Sequence, residues 1–134
     1  MNDLEQPYDD NYWKIEAWKA AVRLTVDIDK IFSNFSEHYI SRDLLDISLD
    51  LSSHISLGFE ERSYSRSVYW LRKAKQLCTT IRTRLYLAKE MMVVNKNTVE
   101  KLIEQAREVA TLLSKSMEIT KDIKHYNDTT QKSD

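Results

Sequence analysis

Glycine and proline are almost missing. This 134-residue chain holds one of each, where average usage gives roughly nine and seven. Sheets need turn residues every few positions, so the shortage argues against a sheet-rich fold and predicts long helices with short links. A lone glycine, Gly58, excludes the Gly-rich loops that cradle phosphates. The lone cysteine, Cys78, forbids an internal disulfide and suits a reducing compartment, so the chain reads as cytoplasmic. No apolar run approaches the ~20 residues that span a bilayer. The acidic, polar stretch from Met1 to Asp10 is no signal peptide, and a membrane is not expected among the partners.

Catalytic groups are scarce as well. The histidines are His38, His54 and His125. A di-metal carboxylate bundle shows Glu-x-x-His on two helices, and that motif does not occur here. Asp50 and His54 stand four apart, but one such pair is a weak metal site, and His54 reads as a structural or interface residue. Nucleophilic catalysis needs a base beside a Ser or Cys. Cys78 falls on an apolar stripe, where it reads as a small core residue. The chain reads as a non-enzyme with no cofactor and no metal.

What remains is helical periodicity. Ala17, Ala21, Leu24, Ile28, Ile31 and Phe35 recur at three and four over residues 11–35, and Ile15, Trp18, Val22 and Val26 form a second stripe beside them. Ile40, Leu44, Ile47, Leu51, Ile55 and Gly58 do the same in a second helix ending near Glu61, with Ser36 or Ser41 as its cap. Ser48, Ser52 and Ser56 are small enough for a neighbouring helix to approach. Leu71, Ala74, Cys78, Ile81, Leu85, Ala88 and Met92 mark a third helix over 65–94. Val99, Leu102, Ala106, Val109, Leu113, Ser116, Thr120 and Ile123 mark a fourth, opened by an Asn97–Glu100 capping box. The expected fold is all-α: an antiparallel, up-down-up-down four-helix bundle over 11–126, with a loose arm at 1–10 and a polar tail at 127–134.

The net charge of −1 hides a polarisation. From Arg62 to Val94 eight basic residues face one acid, Glu90, so this stretch is +7 and the rest of the chain −8. Arg72, Lys75, Thr79, Arg82, Tyr86 and Lys89 share one face of the third helix, Tyr69 extends it, and Arg66, Lys73 and Arg84 add to or flank it. Lysine and arginine attract phosphates, and tyrosine stacks on bases, so this face is the candidate site for RNA or DNA. The plainer reading is a solvated face balanced by acids on neighbouring helices. Tyr12, Trp13, Trp18, Tyr64, Tyr69 and Trp70 gather near the starts of the first and third helices. They read either as core packing at one end or as the interface of a homo-oligomer.

The stretches Tyr12-Trp13-Lys14-Ile15-Glu16-Ala17-Trp18-Lys19-Ala20, Gly58-Phe59-Glu60-Glu61-Arg62-Ser63 and Trp70-Leu71-Arg72-Lys73-Ala74-Lys75, with Arg82-Thr83-Arg84-Leu85-Tyr86-Leu87-Ala88, resemble the bacterial four-helix bundles called 23S rRNA intervening-sequence proteins. The similarity covers roughly residues 12–120. That family includes the accessory variability determinants of diversity-generating retroelements. The resemblance therefore implies a pentameric barrel that binds a reverse transcriptase and nucleic acid through basic surfaces, with no enzymatic role. Ser52 stands where the intervening-sequence branch often has Pro, and His54-Ile55-Ser56-Leu57-Gly58 replaces its Asn-Ile-Ala-Glu-Gly run. Gln76-Leu77 replaces a Gly-Ser pair, and Thr80 replaces a Glu. The last change makes the helix more basic and points to the retroelement branch. The competing expectation is an intervening-sequence-type scaffold acting through protein contacts alone.

Overall fold

The computed structural model describes residues 10–35 and 37–132; among these, the side chains of 10–13, 120, 122, 123 and 125–132 lie outside the described ones. Four α-helices account for nearly all of it: α1 (Asp10–Phe32), α2 (Tyr39–Glu60), α3 (Tyr64–Glu90) and α4 (Lys96–Lys132), with a 3-10 turn at Ser33–Phe35. Helix α1 packs on α2 and α4, and α3 packs on the same two. The helices therefore sit on the corners of a square, with α1 diagonal to α3. This is the all-α four-helix bundle that the periodicity predicts.

The predicted stripes form one core. Ala17, Ala21, Leu24 and Ile28 from α1 meet Ile40, Leu44, Leu51 and Ile55 from α2; α3 adds Leu71 to Ala88, and α4 adds Val99 to Leu113. Two positions differ from expectation on α1. Phe32 is buried in place of Ile31, which is half-buried, and Phe35 stays exposed. The helix ends at Phe32, and the tighter 3-10 turn after it swings Phe35 out of line. Ser48 takes the central place expected of Ile47; its hydroxyl donates to Leu44 O at 2.8 Å, which makes its burial tolerable.

The helix ends also differ from the predicted ones. His38, not Ser41, caps α2: its Nδ1 accepts from the Ile40 N–H at 3.2 Å. Ser41 is buried inside the helix. Ser63 caps α3 through Arg66 N–H. Asn95, two residues before the predicted cap, opens α4 by accepting from Asn97 N–H at 2.8 Å. The tail expected from 127 continues as helix to Lys132. The expected arm lies outside the described residues, apart from Asp10, which opens α1.

Helix α3 stops where a seventh stripe residue, Met92, was expected to lie inward. Met92 N–H donates to Lys89 O and Val93 N–H to Ala88 O, both at 3.0 Å. This is a Schellman motif, and it forces its αL position onto Met92, at φ 59°. The side chain is 89% exposed. A left-handed residue with a Cβ costs about 1–2 kcal/mol. Met92→Gly should therefore raise the thermal midpoint by a few degrees, read by circular dichroism melting.

The other glycine-type position is native. An added Cβ at Gly58 would lie 2.8 Å from Leu71 Cδ2 and 3.2 Å from Ser67 O. Ser67 Oγ donates to Gly58 O at 2.8 Å across the same α2–α3 crossing. Gly58→Ala gains about 1 kcal/mol of helix propensity but overpacks a sealed contact at about 1–3 kcal/mol. Urea titration should show a net loss of roughly 1 kcal/mol; a gain would mean that the crossing is slack.

Candidate nucleic-acid interface

The cations of α3 do not form one patch. On a helical wheel the residues that face α4 are Arg72, Lys75, Thr79, Arg82, Tyr86 and Lys89, while Arg66, Lys73 and Arg84 turn toward α2. Contacts across each boundary fix these directions. Lys124 of α4 lies over the Tyr64 ring at 5.7 Å on one side. Arg84 Nε donates to Asp43 Oδ2 of α2 on the other. Arg84 thus has a neighbouring acid of its own.

The stripe on the α4 side is different. Among the described residues, no carboxylate comes within ion-pair distance of Arg72, Lys75, Arg82 or Lys89. Helix α4 does present exposed Glu100, Glu104 and Glu118, but Glu104 is taken by Arg107 of its own helix at 2.6 Å. Arg72 and Lys75 are exposed. Arg82 is half-buried, and its Nη2 donates to Thr79 Oγ1 at 3.4 Å. Lys89 lies over the Tyr86 ring at 4.5 Å, and Tyr86 itself is 53% exposed. The result is a row of cations and one stacking ring on a rigid helix. On the α2 side, Lys73 lies over the Tyr69 ring at 5.1 Å, and Arg66 is exposed at the helix start.

The aromatic cluster is split as well. Trp18 lies on α1, 42% exposed, in a cleft of about 250 Å³ with Ile15, Ile55 and Phe59. Trp70 turns to α2, its ring edge against His54 at 5.3 Å and against Tyr69 at 5.2 Å. The starts of α1 and α3 share an end of the bundle on diagonal corners, so Trp18 and Trp70 lie on opposite flanks of α2. Tyr12 and Trp13 lie outside the described side chains. Periodicity within each helix could not reveal the split, which depends on which neighbour each flank meets.

Of the candidate catalytic groups, His125 lies outside the described side chains. Among the described residues, no group of three or more His, Cys, Asp or Glu is placed to hold a metal ion. His54 Nδ1 is 2.8 Å from Asp50 O of the preceding turn, so the pair four apart is joined through the backbone rather than the carboxylate. Cys78 is sealed in the core, and burial pushes its thiol up to about 12. Among the described residues, no helix is long and apolar enough to cross a membrane.

Comparison with solved structures finds this fold in a protein of unknown function from the S23 ribosomal protein family of Bacteroides thetaiotaomicron. The TM-score is 0.69 at 17% identity, over 81% of this chain and 97% of that one. The two chains share a fold. No protein-family profile matches this sequence, and neither does any curated protein. The resemblance read from the sequence thus stands at the level of the four-helix architecture.

The buried thiol supplies a pH test. A thiol that ionises near 9 when unfolded and near 12 when folded favours the folded state fully below 9. That contribution is lost as pH rises from 9 towards 12, because only the unfolded chain sheds the proton there. Melting temperatures should therefore fall more steeply above pH 9 for the native chain than for Cys78→Ala. Parallel curves would remove Cys78 as the cause.

Proposed function

We propose that this protein is a non-enzymatic, oligomeric nucleic-acid-binding accessory protein, working beside a reverse transcriptase in a diversity-generating retroelement. The observation that carries the binding role is the row of cations on the α4 side of α3 without acid partners among the described residues. A bundle that used these residues for its own stability would pair them, as it pairs Arg84 with Asp43. Leaving them unpaired keeps them available to a polyanion. The reverse-transcriptase partner rests on the sequence resemblance of α3 and on its added basic character.

From Arg72 to Lys89 the row spans roughly 25 Å at 1.5 Å per residue. Phosphates follow one another at about 3.4 Å along a duplex strand, so several meet the row at once. Recognition of this kind reads charge and shape rather than base sequence. Tyr86, exposed within the row, adds a ring on which an unpaired base stacks.

Arg72, Lys75, Arg82 and Lys89 should therefore be replaced together by Gln. None belongs to the apolar core, so the helical spectrum should be unchanged. Fluorescence anisotropy with structured RNA and duplex DNA should show binding by the native chain that weakens as roughly the 3.6 power of salt for about four phosphates. The quadruple variant should lose it. Retention by the variant, or no native binding at low salt, would leave the scaffold reading, with acidic protein surfaces as the partner.

A further inference from the structure

Where α1 ends and α2 begins, a buried hydroxyl lacks a partner. Ser41 is 5% exposed, and among the described residues its Oγ makes no hydrogen bond. A serine deeper in a helix donates to the carbonyl four residues back, as Ser48 does to Leu44 O. Ser41 is the third residue of α2, so the residue four back, Glu37, precedes the helix. A buried hydroxyl left unpaired costs stability, and alanine in its place would be the better helix former. Such a group calls for a partner from outside the chain.

Ser41 lines a cleft of about 130 Å³ between the two helices. Ile28, Phe32 and Leu45 supply its apolar walls, and the exposed Asp29 and Arg42 its rim, one from each helix. Among the described residues neither rim charge has an ion-pair partner, and the two stand too far apart to pair with each other. The cleft therefore offers an apolar floor, one buried hydroxyl, one carboxylate and one guanidinium, all uncommitted.

The helix ends reinforce the two charges. Asp29 lies in the last turn of α1, where free carbonyls favour a cation. Arg42 lies in the first turn of α2, where free N–H groups favour an anion. A ligand that carries an ammonium, a carboxylate and an apolar group on one carbon answers all of these at once. Its ammonium meets Asp29, its carboxylate meets Arg42 and accepts from Ser41 Oγ, and its apolar group enters the walls. A free α-amino acid is such a ligand, whereas a residue within a peptide lacks both charges. Size selects the side chain. A cavity of about 150 Å³ with similar walls accepts benzene, so this smaller one suits a branched aliphatic group and excludes the indole of tryptophan.

We propose that the cleft between the end of α1 and the start of α2 binds a free α-amino acid with a branched aliphatic side chain, held by Asp29, Ser41 and Arg42. The site uses no residue of α3 and stands independently of the nucleic-acid reading.

Chemical-shift titration of the isotope-labelled full chain with L-leucine should give saturable shifts confined to the end of α1 and the start of α2. L-tryptophan should give none. Isocaproate, which lacks the ammonium, and isopentylamine, which lacks the carboxylate, should each bind roughly tenfold more weakly or worse, since each loses a charged hydrogen bond. The two exposed rim residues allow a crossed test. Arg42→Gln should weaken leucine roughly tenfold and leave isopentylamine unchanged, and Asp29→Asn should weaken leucine likewise and leave isocaproate unchanged. Ser41→Ala should weaken leucine while the melting temperature of the free chain holds or rises; a hydroxyl kept for the fold would lower it. Absence of saturable shifts would mean that the cleft holds water alone and would overturn the proposal. So would equal binding of leucine, isocaproate and isopentylamine, or undiminished leucine binding by Ser41→Ala.

Discussion

Four apolar stripes meeting on the corners of a square set everything else in this molecule. Each helix gives its stripe to the centre and one flank to each of two neighbours, so each helix has a left side and a right side with different fates. The contact is tight where small residues allow it, at Gly58 against Ser67 and Leu71, and at Ser48 against Thr25. Side chains of the outer surface fall into four faces, one for each adjacent pair of helices. The functional questions are then questions about faces rather than about residues.

Two of those faces differ in chemistry. The α2–α3 face is self-balancing, with Asp43 answering Arg84 across it. A partly exposed pair like this contributes at most about 1 kcal/mol, and it partly offsets the charge of Arg84. Among the described residues, the α3–α4 face is left with a basic row without acid partners, and the reason is the placing of the acids of α4. Among the described side chains, Glu100, Glu104 and Glu118 lie on the outer part of the helix, Glu108 turns toward α1, and Glu104 is already paired within its own turn. Separation of charge on a rigid frame of this kind gives the α3–α4 face a positive potential.

Among the described residues, strain in the backbone is confined to one place. Met92 holds the left-handed position of a helix stop in a chain that has a single glycine, and that glycine is used elsewhere for a close crossing. The shortage that predicted long helices and short links thus has a local cost at the α3–α4 link. Cys78 shows the opposite case: a potentially reactive group made inert by the same burial that its place in the stripe foretold.

The sequence by itself determined the helices, their order and almost all of the core, because a 3.6-residue period is a property of each segment taken alone. Leu71, Ala74, Cys78, Ile81, Leu85 and Ala88 are buried as the spacing requires. The ends were less legible: His38 and Asn95 cap where serine and Asn97 were favoured, since a cap depends on one hydrogen bond among several adjacent candidates. What only the tertiary structure decided was the partition of surface residues. Arg84 and Arg82 look alike in the chain, two positions apart, yet one is half-neutralised by α2 and the other stays without an acid among the described residues. Trp18 and Trp70 look like members of one cluster and stand on diagonal helices. A helical wheel gives the angle of a side chain around its own axis; which neighbour that angle meets is set by the packing of the other three helices.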